Sequence, residues 1–137
     1  MPPLRDDDNI ASDQSLLRAL RHEWTTLRAD GSERPNRLAF TDSTQETSCF
    51  IDSESNLAEL RRLFPGEQIC RFRAGFVRAA GFVIERRPRE CPDGFVGDPN
   101  DHLVIGPAEE IRKKELMRRG DAIAKTQGIE VLPPTGE

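Results

Sequence analysis

Residues 48–73 read SCFIDSESNLAELRRLFPGEQICRFR, and the succession of patterns in this stretch decides the fold class. Ser48-Cys49-Phe50-Ile51-Asp52 is short and apolar at its centre, and reads as a strand. From Ser53 the spacing becomes helical, with Leu57, Leu60, Leu63 and Phe64 on one stripe until Pro65-Gly66 stops it. Gln68 to Arg73 then sets Ile69, Cys70 and Phe72 among polar residues, which reads as a second strand. A connection of about fifteen residues is long enough for a right-handed parallel crossover between the two strands.

Outward from this unit the signals alternate. Residues 74–80 form a short helical turn that Gly81 ends, and Phe82-Val83-Ile84 is a strand. Residues 91–101, CPDGFVGDPND, carry the turn chemistry of a loop, and His102 to Ile105 returns to strand. Gly106-Pro107 opens a final helix over about residues 108–125, whose first turn holds Glu109 and Glu110 as the helix dipole favours, with Gly120 as a weak point. Upstream, Leu16, Leu17, Leu20, Trp24 and Leu27 fall on one helical face, so residues 13–28 read as a helix capped by Ser12 or Asp13. Asp30-Gly31 breaks the chain, and Leu38-Ala39-Phe40 is a short apolar plug. The expected architecture is α+β: a single small domain over residues 13–128, with a mixed sheet of about four strands and helices mostly on one face. Residues 1–12, with Asp6-Asp7-Asp8, read as a disordered acidic tail, and residues 129–137 as a second tail.

Bulk chemistry narrows the class further. At 137 residues and 36% hydrophobic content the chain holds one domain with a real core. No run approaches the ~18 apolar residues of a membrane span, and the acidic start lacks the basic and apolar regions of a signal peptide, so a cytoplasmic protein without membrane partners is expected. Cys49, Cys70 and Cys91 cannot all pair within one chain, which points to reduced thiols. The formal charge of −4 argues against a cationic coat for nucleic acid, yet the charge is segregated. Residues 56–89 hold eight arginines against three acids, between flanks of net charge −5 and −4.

Two groups of residues are candidates for function. His102 follows a turn-rich loop beside Asp98 and Asp101, either of which can orient an imidazole acting as general base; the simpler reading is a histidine that bonds nearby backbone. Arg71 and Arg73 share a face by the period of a strand, and Arg86, Arg87 and Arg89 follow another strand, so five guanidinium forks could gather and grip carboxylate or phosphate. A solvated face is the plainer reading of these arginines. The three cysteines with His102 contain no close ligand pair, so no metal is expected; Cys91 lies near Arg89, which would lower its pKa. Phosphate loops, nucleophile elbows, HExxH and kinase signatures are absent, and no cofactor is expected.

The run from Trp24 through Asp30-Gly31, Leu38-Ala39-Phe40, the strand at 48–52, Gly81-Phe82-Val83 and Gly97-Asp98-Pro99-Asn100-Asp101-His102-Leu103-Val104-Ile105-Gly106 resembles a group of small uncharacterised bacterial proteins. They share an Ala-Phe start, a Gly-hydrophobic-Val strand and an Asp-Pro…His…Ile-x-Gly segment. The resemblance spans about residues 24–107, and Asp101 stands where their pattern has a small or apolar residue. It implies a bacterial cytoplasmic origin and a reason for the His102 loop, and brings no activity with it. The function expected from the residues is a small non-enzymatic binding or adaptor protein that engages a protein or peptide partner through Arg71, Arg73, Arg86, Arg87 and Arg89. The alternatives are a small hydrolase or nuclease-like enzyme using His102 with Asp98 or Asp101, and a nucleic-acid-binding module.

Overall fold

The structure, a computed structural model, describes residues 3–134. Eight strands and three helices follow in the order β1 (Ser15–Leu20), β2 (Thr25–Leu27), β3 (Glu33–Pro35), β4 (Thr47–Ile51), α1 (Glu54–Leu63), β5 (Gln68–Arg73), α2 (Ala74–Ala79), β6 (Val83–Arg86), β7 (His102–Gly106), α3 (Lys113–Ala124) and β8 (Glu130–Leu132). Six strands form one sheet in the order β6-β7-β4-β1-β5-β8, while β2 and β3 make a separate hairpin. The fold is α+β, with more strands than the four expected.

The helix expected over residues 13–28 is instead β1, a short 3₁₀ turn at His22–Trp24, and β2. β1 is the centre of the sheet. Leu16 enters the larger core with Leu20, and the adjacent Leu17 enters the smaller core on the other face with Phe50, Ile69 and Leu60. A strand buried on both faces has no polar alternation, so its apolar run matches a helical stripe equally well.

The expected mixed sheet with a parallel crossover is also corrected, because every pairing among the described residues is antiparallel. β4 and β5 run parallel to one another, but β1 lies between them, pairing Leu17 with Phe50 on one side and Leu16 with Phe72 on the other. The strand–helix–strand unit is thus split by a strand from earlier in the chain. Two of the three helices cover one face and one covers the other. Leu60 of α1 packs in the smaller core, whereas Val77 of α2 and Leu116 and Ile123 of α3 pack in the larger.

α1 begins where expected, with the Ser53 hydroxyl accepting the Asn56 N–H at 3.0 Å. α3 begins at Lys113 rather than near residue 108. The Gln45 side-chain amide takes both backbone groups of Ile111, accepting its N–H at 3.1 Å and donating to its carbonyl at 2.7 Å, which holds that stretch extended.

Both expected tails meet the sheet. β8 pairs with β5 from Ile69↔Leu132 to Arg71↔Glu130, within the segment read as a C-terminal tail; residues 135–137 lie outside the described residues. In the acidic segment Leu4 and Ile10 are buried, and its polar groups bond to β6; residues 1–2 lie outside the described residues.

Candidate functional site

Two places combine charged or titratable groups in an arrangement that can recognise or transform something. The first is the outer edge of β6. An edge strand presents unpaired backbone groups, and here the chain's own start covers them. The Asp7 N–H donates to the Ile84 carbonyl at 2.6 Å, and the Ile84 N–H donates to the Asp6 carboxylate at 3.0 Å. Two guanidiniums hold this acidic stretch. Arg78 reaches Asp6 at 3.1 Å, the Asp7 carbonyl at 3.0 Å and the Ser12 hydroxyl at 3.1 Å. Arg86 reaches the Asp7 carboxylate at 3.0 Å and the Asn100 carbonyl at 2.8 Å.

The five arginines singled out in the sequence do not gather on one face. β5 and β6 are separated by β1, β4 and β7, a displacement of about 19 Å at ~4.8 Å per strand. Arg71 is engaged by Asp52 at 2.8 Å and Glu130 at 3.5 Å, and Arg87 by Glu85, Glu90 and Glu46. Arg73 and Arg89 are exposed and have no ion-pair partner among the described residues.

The second place surrounds His102, the first residue of β7. The Asp98 carboxylate caps the 3₁₀ turn at Pro99–Asp101 by accepting the Asn100 N–H, and the Asp101 carboxylate accepts from the amide of buried Asn56 at 2.9 Å. These acids shape the loop and do not touch the imidazole, which corrects the expected Asp–His pairing. His102 is 2% exposed, with Nδ1 at 2.7 Å from the Arg87 carbonyl and Nε2 at 2.6 Å from the Ser48 hydroxyl. A carbonyl only accepts, so Nδ1 carries the proton and Nε2 accepts from Ser48. Burial pushes the His102 pKa down, against smaller upward contributions from the Arg87 carbonyl bond and Glu90, and keeps the ring neutral at pH 7.

Ser48 also faces a cleft of about 240 Å³, whose walls include Arg18, Trp24, Glu46, Phe50 and Phe64. The cleft opens because β1 and β4 pair only at Leu16–Ile51 and Leu17–Phe50. Beyond that point Arg18 bridges the gap, donating to the Ala39 carbonyl at 2.5 Å and the Ser48 carbonyl at 2.7 Å. Its guanidinium is buried, 4.6 Å from the Trp24 ring, with no carboxylate at ion-pair distance among the described residues. Burial accordingly lowers the Arg18 pKa.

Ser48, Arg18 and Arg78 were not picked out from the sequence. Arg18 carries a visible signal, a lone charge inside Leu16-Leu17-Arg18-Ala19-Leu20, since a charge in a doubly buried strand must find internal partners. The thiols are quiet. Burial raises Cys49 to about 12 and raises Cys70, and Cys91 is raised by burial rather than lowered by Arg89. Among the described residues no three His, Cys, Asp or Glu side chains lie close enough to hold a metal, and no helix is long and apolar enough to cross a membrane. No family model matches the chain, and neither a curated protein nor a solved structure matches it.

Proposed function

We propose that this protein is a small binding module that engages a protein partner along the arginine-bearing edge of β6, the partner supplying an extended acidic segment. The observation that supports this reading is what already lies there: the chain's own Asp6-Asp7, fitted to the Ile84 backbone and gripped by Arg78 and Arg86. Main-chain pairing to a sheet edge supplies affinity, and arginine forks select carboxylates. The ion pairs to Asp6 and Asp7 are partly exposed, and such pairs are worth about 0–1 kcal/mol each, so a longer acidic strand competes for the same groups. Of the arginines read from the sequence, Arg86 belongs to this edge and Arg87 and Arg89 continue from it; Arg71 and Arg73 fall outside it, and Arg78 joins it.

The test is affinity purification of the tagged chain from its native cell at moderate salt, with and without nuclease, alongside the Arg86→Glu/Arg87→Glu variant. The expected result is a stoichiometric protein that survives nuclease and is lost from a folded variant. Recovery that vanishes with nuclease, or capture undiminished by charge reversal, overturns the reading.

A further inference from the structure

The binding reading leaves the Ser48–His102 pair unused. We propose that Ser48 is an activated nucleophile with His102 as its general base, in a site that hydrolyses small carboxylic esters. Three geometric facts carry this. The Ser48 hydroxyl and His102 Nε2 are at hydrogen-bond distance, and the opposite nitrogen is held by a fixed acceptor, the Arg87 carbonyl, so the tautomer is the one a base requires. The pair is built into the sheet. Phe50 pairs with His102 and Ser48 with Val104 across β4 and β7, so Ser48 and His102 are diagonal neighbours on one face. Finally, Ser48 lines the cleft, which is of a size for a small acyl group.

The chemistry balances with water as the only co-reactant. Ser48 Oγ bonds to the ester carbonyl carbon as its proton passes to Nε2, giving a tetrahedral oxyanion. Collapse breaks the carbon–alkoxide bond, and the leaving alcohol takes the proton from Nε2. Water, deprotonated by the same nitrogen, then attacks the acyl-serine and releases the acid, restoring the serine hydroxyl. Burial keeps His102 neutral and available as a base at pH 7.

The experiment treats the full chain with a small fluorophosphonate and follows intact mass and peptide maps. A single adduct on Ser48 is expected, absent from Ser48→Ala, with a labelling rate whose pH midpoint lies below that of an ordinary imidazole because burial lowers the His102 pKa. His102→Gln should slow labelling at least ~100-fold, the order of a lost general base. An unmodified Ser48 under conditions that label a reference serine hydrolase overturns the proposal on the wild-type protein alone, whatever the variants do to folding. Labelling of folded His102→Gln at the wild-type rate overturns it as well.

Discussion

Burial gives His102 a consequence for stability whether or not it acts as a base. Its folded-state pKa lies below the ordinary value of 6.5, so as pH falls through that value the unfolded chain takes up a proton that the folded chain refuses. The contribution is whole above the unfolded pKa and is lost as pH falls through the folded one. Thermal melts should therefore show a lower Tm at about pH 5 than at about pH 7.5, with that part of the difference removed in His102→Gln. An acid slope unchanged in a folded His102→Gln protein would contradict the assignment. Gly120 makes a second case at this scale. A sequence reading takes it as a flaw in α3, and alanine there gains about 1 kcal/mol of helix propensity. In the fold, however, an added Cβ runs into Thr41 Cγ2 and comes within 3.0 Å of the Arg37 carbonyl. Overpacking costs about 1–3 kcal/mol, so Gly120→Ala should lower Tm by a few degrees, read by calorimetry. A raised Tm would show that the helix shifts without strain.

Elements were legible in proportion to how locally their boundaries are encoded. α1, β5 and α2 follow from Ser53, Pro65-Gly66 and the period of their apolar residues, and β7 begins at His102 as its loop signals require. β1 reads as a helix because burial on both faces erases the pattern that separates strand from helix. β8 was hidden by brevity, since Glu130-Val131-Leu132 before two prolines carries little periodicity and is strand only because β5 offers it an edge. A chain ending at residue 129 should consequently expose the outer backbone of β5. Thermal melts of that truncation should show a lower melting temperature, and sedimentation a concentration-dependent self-association, as open edges provoke. A truncation that stays monomeric and melts as the full chain does would mean β8 is dispensable.

At the scale of the whole molecule, topology decides what the sequence hides. Splitting β4 and β5 with β1 moves Arg71 and Arg73 away from Arg86, so a basic middle third becomes two separate, mostly neutralised regions. The same wrapping brings Asp6 and Asp7 to Arg78 and Arg86 across more than seventy residues, and Ser48 to His102 across 54. Such long-range pairings have no local signature, which is why His102 was visible as a candidate while its hydroxyl partner was not. The role of the β6 edge is tested most directly by measuring partner capture for two variants that loosen one interface from opposite sides. Asp6→Asn/Asp7→Asn frees Arg78 and Arg86 for an incoming acidic strand, whereas Arg78→Glu/Arg86→Glu repels it. The account predicts that capture rises in the first variant and is lost in the second, both being folded. If the edge were only structural, the two changes would act alike, and equal capture or equal loss in both would contradict it.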